Sequence, residues 1–406
     1  MEYALLKNIF TFAKSFYFFI GNLFVKREYN IVFYYPAHFN RGANGENEFL
    51  EPLYRVCEKA KIDFVIFEEP DFQKQCKRSK KAVPFDFPFI VILFLRKIIS
   101  IEKFESFQKR DWHIAKLLKP FLFKRFTFKN YIVLSNSMLA FFRGLEKNAN
   151  LYDYQHGVIY NGHIGYFTKS SNVPPHIKEN DVNLLLYGKG FQNVLIKNSV
   201  DNYYKSHTYP FGIDRPLKEW SLPKERKKIL FSLQFTGQGD WPDKQKGWFL
   251  SIKKFLEQNC DFFKKNRLVI LMKHHPRYDV SLPINVQSLQ NYSFVRFCND
   301  DLMEIMERSF LHITFFSSTI FEASSVGVPT ILWNNEYSSA DVYTKDFEYP
   351  LGITDTKDIT KKIEQYLQNE DLYIEDSKSV YSWYKNTFSP LDEKLFIELF
   401  TKDKSS

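Results

Sequence analysis

Residues 311–333, LHITFFSSTIFEASSVGVPTILW, constrain the fold of this chain more than any other stretch. An apolar run over 311–316 stops at Ser317-Ser318-Thr319. A short amphipathic segment follows, then Gly327-Val328-Pro329 and a second apolar run over 330–333. The pattern is a strand, a loop, a helix and a strand, with small hydroxyl residues at the mouth of the helix. Backbone N–H groups and the helix dipole favour a phosphate at such a mouth. Late in a long α/β chain, this predicts a site for a nucleotide mono- or diphosphate.

The rest of the chain alternates in the same way. Residues 30–36 (NIVFYYP) read as a first strand, followed by a polar loop over 38–45, an amphipathic helix over 46–60 and a buried strand over 62–67. The basic, aromatic region 70–127 does not parse into clear elements. Alternation resumes with strands at 131–134, 151–155, 182–187 and 209–212 and a helix at 137–145. The Pro- and charge-rich segment 214–228 reads as a linker. A second half repeats the scheme: strands at 229–234, 268–273, 294–297, 311–316 and 330–333, with helices at 245–259 and 301–308. Helices broken near Ser389-Pro390 are expected over 375–400. Two halves of this kind predict two Rossmann-like parallel-sheet domains, an N-terminal one over 1–213 and a C-terminal one over 229–374, with helices and tail over 375–406. Ligands in such sheets sit at the carboxyl ends of the strands, so the cleft between the halves is the expected site.

At 406 residues the chain exceeds one ordinary core. Its net charge of +9 suits an anionic ligand or a membrane surface, and no zinc-finger spacing or RNA-binding aromatic signature supports nucleic acid. Four scattered cysteines, Cys57, Cys76, Cys260 and Cys298, lack metal-ligand spacing and fit a reducing cytoplasmic compartment. Neither a cleavable leader nor a membrane span is expected. Residues 4–25 and 87–99 are apolar runs beside basic clusters, readable either as core or as contacts with the inner membrane face.

Several clusters are candidates for chemistry. In the opening unit, Ser317, Ser318 and Thr319 are placed to bind phosphate, and Glu322 to accept ribose hydroxyls. Thr319-x-x-Glu322 also reads as a capping box, which needs no ligand. Lys273-His274-His275-Pro276 ends a buried strand, where His275 can donate to phosphate and Lys273 can add charge. In Tyr152-Asp153-Tyr154-Gln155-His156-Gly157, Gly157 permits a tight turn presenting His156 as a general base or a phosphate-orienting group. Asp153 is the alternative base or the group that orients the imidazole, and Gln155 a local cap or ligand contact. In the loop from Asn40 to Glu48, which carries Arg41, the glycines Gly42 and Gly45 permit close backbone approach to a ligand. Glu46 and Glu48 fall at a predicted helix start, where Glu48 is a further candidate base. No D-x-D pair, P-loop, G-x-G-x-x-G or G-x-S-x-G elbow occurs, which leaves a metal-nucleotide site and a cofactor unsupported.

Gln155-His156-Gly157, His275-Pro276 and the run from Ser317 to Pro329 together resemble bacterial glycosyltransferases of the GT-B fold that build capsule, lipopolysaccharide or teichoic-acid-like polymers. The resemblance covers roughly residues 30–335. It implies that His275, Ser317, Ser318 and Thr319 hold the donor phosphate, that Glu322 binds ribose, and that the N-terminal domain carries acceptor and base. The acidic pair-glycine motif of sialyltransferases is missing. The implied reaction is metal-independent transfer of a sugar from a nucleotide donor to a hydroxyl of a glycan, lipid-linked or otherwise. The alternatives are a CDP-polyol phosphotransferase, a non-catalytic membrane-associated glycan-binding protein, and a sugar-nucleotide epimerase.

Overall fold

A computed structural model describes residues 2–42, 44–71, 77–215, 217–223, 226–236, 242–276, 278–335 and 341–401. Cys76, Ala43, part of the 214–228 segment and the last residues of the tail lie outside the described residues. The chain divides into two compact units, one of Met1–Arg215 with Ser389–Ser406 and one of Pro216–Phe388.

The first unit holds seven strands, all paired in parallel: β1 (Arg27–Pro36), β2 (Phe64–Glu69), β3 (Val83–Pro84), β4 (Phe126–Leu134), β5 (Asn150–Tyr154), β6 (Val182–Leu185) and β7 (Thr208–Tyr209). Their order is β3-β2-β1-β4-β5-β6-β7. The second unit holds β8 (Lys228–Ser232), β9 (Val269–Lys273), β10 (Val295–Phe297), β11 (Leu311–Thr314), β12 (Thr330–Asn334) and β13 (Ile353–Asp355), in the order β10-β9-β8-β11-β12-β13 and again parallel. In each unit the chain winds outward in one direction and then restarts beside its first strand. The order therefore reverses between β1 and β4, and between β8 and β11. At such switch points the flanking loops part and leave a crevice outside the strand ends.

Continuous apolar strands are what a parallel sheet covered on both faces requires. The last six residues of β1 are all buried, and the aromatic bias of the sequence is largely core. In the first unit Tyr131 stacks on Phe142 at 4.0 Å, and Phe67 and Phe85 meet at 5.5 Å. In the second, Trp248, Phe315 and Trp333 pack with Phe231 and Phe255 on one face, while Ala323, Val326 and Val328 meet Leu230, Ile305 and Met306 on the other.

Three elements depart from the sequence reading. The unparsed 70–127 region contains β3 and two helices, α3 (Asp86–Ile98) and α4 (Phe107–Leu122), which join α1 (Glu2–Gly21) on one side of the first unit. Their outward faces keep large apolar residues such as Phe94 and Phe121, which blurs the helical period. The helix expected from residue 46 is α2 (Glu51–Ala60), because Pro52 fits only its first turn and Asn47 caps the preceding bend by accepting from Phe49 and Leu50 N–H. Finally, the helix Glu370–Thr387 packs in the second unit, and the chain leaves it at Phe388 to pair Pro390 with Ile213 in the first. There Gly212 has φ +92° and its Cα lies so close to Pro390 that a Cβ would meet the carbonyl oxygen at 2.1 Å.

Candidate functional sites in the two units

In Pro216–Phe388, β11 runs straight into the hydroxyl cluster. Thr314 Oγ1 accepts from Ser317 N–H at 3.2 Å, and Ser317 Oγ accepts from Thr319 N–H at 3.3 Å. These bonds shape the turn that starts the helix Thr319–Ser325. The helix is capped by Ser318 with no side-chain cap bond, so the capping box expected from Thr319 and Glu322 does not form. Thr319 is instead the first helical residue, and its hydroxyl contacts His312 Nε2 at 3.3 Å. Ser318 is exposed at the mouth, Ser317 is buried beneath it, and Glu322 stands half-buried one turn along.

His312 is the residue that the sequence reading missed. It is fully buried in β11, with Nε2 2.9 Å from Ser232 Oγ and Nδ1 3.0 Å from Thr330 Oγ1. Burial pushes its pKa down to about 3, so the ring is neutral and pairs with hydroxyls that either donate or accept. It ties three strands to the first turn of the helix. A lone His in an apolar strand carries no signal of this. Only the sheet order, which brings residues 232 and 330 to its two sides, reveals the cluster.

Two strands away, β9 ends in Lys273-His274-His275. Lys273 Nζ donates to the Asp300 carbonyl at 2.6 Å, which anchors its charge at the strand end. His274 is sandwiched between Tyr278 at 3.8 Å and Phe297 at 4.7 Å, and its pKa is lowered by burial. Gln287 Nε2 donates to its Nε2 at 3.1 Å, while its Nδ1 is buried with no partner among the described residues. His275 is half-buried, and its carbonyl accepts from Tyr278 N–H at 2.8 Å. Between them, just past β8, Gln234 Oε1 is also buried and has no partner among the described residues. The predicted phosphate residues thus follow β9 and β11, on either side of β8, with the switch point on the β11 side. At Gly327 the reason for glycine is local: φ is +72° and a Cβ would meet Trp220 at 2.7 Å.

In the first unit, β5 delivers Gln155, His156 and Gly157 next to β4. Gln155 is buried and fully engaged, donating to Gly157 O at 2.7 Å and accepting from Tyr187 N–H at 2.8 Å. It fastens the β5 and β6 ends. His156 differs: its ring meets Phe39 edge-on at 5.3 Å and its Nδ1 is buried with no hydrogen-bond partner among the described residues. Burial first, then His163, His38 and Arg41, push its pKa down to about 4. The structure therefore gathers two histidines that sequence reasoning did not select, His38 and His163, with Arg41 around His156. Gly157 does not have positive φ, so the turn does not depend on glycine; a Cβ there would meet nothing within 4 Å, which leaves the backbone open to a ligand.

Asp153 is 1 % exposed. Its oxygens accept from Asn136 N–H and Tyr166 O–H, each at 2.9 Å, and burial raises its pKa to about 7. Its partners are these two groups rather than an imidazole. In the loop after β1, Gly42 and Arg41 N–H both donate to Glu46 O at 3.1 Å, and Arg41 lies over Phe49 at 5.2 Å. A Cβ at Gly42 would sit 2.4 Å from the Glu46 carboxylate, so a small residue is required. Glu46 accepts from Asn44 N–H at 2.8 Å. Glu48 is exposed in the bend before α2, not at a helix start. Among the described residues, no group of three or more His, Cys, Asp and Glu is placed to hold a metal ion.

No protein-family model matches the sequence, and no curated protein matches it. Solved structures do match in three dimensions. TarM aligns with a TM-score of 0.50 at 11% identity over 94% of this chain and 100% of its own. The wall teichoic acid polymerase TagF aligns at 0.50 and 12% identity over 92% and 88%. A putative UDP-N-acetylglucosamine 2-epimerase from Listeria monocytogenes aligns at 0.52 and 12% identity over 93% and 98%. At these identities the likeness defines the fold: two α/β units with parallel sheets, of the GT-B class.

Proposed function

We propose that this chain is a glycosyltransferase that moves a sugar from a nucleotide-activated donor to a hydroxyl of a cell-surface glycan precursor. The observation that carries this reading is the helix mouth at Ser318, built over the buried His312 cluster at the switch point of the second unit. There the exposed Ser318 hydroxyl and the positive end of the helix dipole suit a leaving diphosphate. His275 and Lys273 supply donors and charge from β9, and Glu322 accepts from ribose. The negative charge developing on the leaving group is met by these fixed dipoles and cations, so no metal is required in this scheme. In the first unit, His156 faces the acceptor with its unpaired Nδ1, flanked by Arg41 and the open backbone at Gly157. Asp153, Gln155 and Gly42 shape the loops that hold it. Glu48 is the less favoured base, since it is exposed and none of the described residues holds its side chain. The acceptor is taken to be lipid-linked, with the protein peripheral on the inner membrane face.

A second reading has specific support, because an epimerase shares the fold at the same similarity as the transferases. Both would bind a nucleotide, and only the transferase requires an acceptor. The test is thermal stabilisation by CMP, CDP, UMP, UDP, GDP and dTDP without metal, on wild type, Ser318→Ala and His275→Ala. One nucleotide stabilising wild type and neither variant supports the donor site. Cytidine nucleotides as the sole binders would favour a CDP-polyol donor. Turnover of the matching sugar nucleotide without any acceptor would replace transfer by epimerisation, and no stabilisation at all would favour a non-catalytic protein.

A further inference from the structure

The helices α1, α3 and α4 form one outward layer of the first unit. Phe12 and Phe16 of α1 meet Phe87 of α3 at 5.7 and 5.0 Å, and Arg96 of α3 lies over Phe107 of α4 at 5.0 Å. Their inner faces are ordinary core: Phe19 packs on Phe67, Phe85 and Phe123. Their outer faces are not. Phe10 is 73 % exposed, Tyr17 76 %, Phe94 61 %, Ile98 62 % and Phe121 65 %. A surface of this kind on one side of a molecule marks a docking face.

Charge identifies the occupant. The carboxylates of α3 and α4 turn inward, Asp86 onto Arg78 at 2.7 Å and Asp111 onto Arg96. From residue 3 to residue 27 the sequence has no acid. Lys97, Lys116, Lys124 and Arg125 are exposed on α3, on α4 and just beyond it, beside the apolar side chains. Among the described residues, the exposed acids nearby are Glu28, paired with Lys26 at 2.7 Å, and Glu102 and Glu105, in the connection between α3 and α4. A second copy of the chain would bring these cations against one another across a two-fold axis, which is unfavourable. None of the described helices is long and apolar enough to cross a membrane. Apolar side chains with interleaved cations and helices lying along the surface match the interface of an anionic bilayer.

We propose that the first unit docks on an anionic membrane through the outer faces of α1, α3 and α4, with Phe10, Tyr17, Phe94, Ile98 and Phe121 inserted among the acyl chains and Lys97, Lys116 and Lys124 on lipid phosphates. This deepens the peripheral placement in the proposed function without requiring sugar transfer, and its test uses no substrate. The purified full chain is floated with vesicles of phosphatidylcholine, with or without about one third phosphatidylglycerol. Wild type should float with the anionic vesicles at least about tenfold better than with neutral ones. Phe10→Asp/Tyr17→Asp/Phe94→Asp should lower that binding by a further tenfold or so while keeping the wild-type melting point, because these side chains are exposed. Lys97→Glu/Lys116→Glu should remove the preference for anionic lipid. Failure of wild type to float, or flotation unaffected by both variants, overturns the proposal. So does a wild-type dimer in vesicle-free solution that the triple variant dissociates, which would make the face a self-association surface. None of these results bears on nucleotide binding, so the two readings fail separately.

Discussion

His312 gives the sharpest test of how the second unit is built. Replacing it with Leu keeps the volume apolar but strips the partners from Ser232 Oγ and Thr330 Oγ1, which belong to residues 5 % and 1 % exposed. A buried hydroxyl left unpaired costs roughly 1–3 kcal/mol. Both can rotate toward nearby carbonyls, so about 2–4 kcal/mol in total is expected. For a unit of this size each kcal/mol shifts the midpoint by about 2–4 °C, giving a drop of roughly 4–16 °C. Of the six tryptophans, all but Trp112 lie in Pro216–Phe388, so tryptophan fluorescence follows this unit. The pH dependence adds an independent check. The folded pKa of about 3 lies below the ordinary 6.5, so between those values the unfolded chain binds a proton that the folded one refuses. Stability is fully present above pH 6.5 and is lost as pH falls, at up to about 1.4 kcal/mol per unit from this group. His312→Leu should flatten that slope, and His312→Asn, which can replace one of the two bonds, should recover part of the midpoint. A His312→Leu protein with the wild-type midpoint and the wild-type acid slope would refute the cluster as described.

Gly327→Ala places a side chain at φ +72° and against Trp220, and should cost about 2–4 kcal/mol in urea unfolding, more than the same change at Gly157. Asp153→Asn can still accept from Asn136 N–H but must reverse the bond to Tyr166, its amide donating to the phenol oxygen, and it removes a carboxyl whose folded pKa, about 7, exceeds the unfolded value. The wild-type group stabilises below pH 4 and loses that contribution as pH rises to 7, so the variant should gain on wild type across this window by about 1 kcal/mol per unit. Retained turnover in the same variant would exclude Asp153 as the base. Gln155→Ala orphans the buried Tyr187 N–H and should lower stability by about 1–3 kcal/mol, read as a lower melting point.

Strand positions were the legible part of the fold because parallel strands buried on both faces leave continuous apolar runs, as in 30–36 and 311–316. Two things hid the rest. The helices α3 and α4 carry large apolar residues on their outer faces, so period and burial disagree along them. The site residues fall where chain order and sheet order differ. Ser317 and His275 are legible as candidates because each ends an apolar run beside a sequence landmark. His312 and His38 have no such landmark and acquire meaning only from strands that are neighbours in the sheet but far apart in the chain. Thr319-x-x-Glu322 misleads for a local reason: the cap is Ser318, one residue earlier, and Thr319 is the first helical residue with its hydroxyl on His312 of the strand just before it.

The depressed pKa of His156 bears on how a base could work in the first unit. At about 4 the free ring is neutral at every ordinary pH, hence able to accept a proton, yet too weak to hold it. After burial, its depression comes from His163, His38 and Arg41, of which the Arg41 guanidinium is a fixed cation that attracts an anion and the two imidazoles can donate to one. An anionic ligand bound among them would offset their field and raise the basicity of His156. Ligand binding and proton uptake are then linked. In this reading the acid limb of kcat/KM, which reports the free protein, lies near pH 4, while that of kcat, which reports the complex, moves upward. Arg41→Ala should shift the kcat/KM limb toward higher pH and narrow the gap between the two. Coincident limbs in wild type, or an unmoved kcat/KM limb in Arg41→Ala, would leave His156 as a binding group and return the search for the base to the loop after β1.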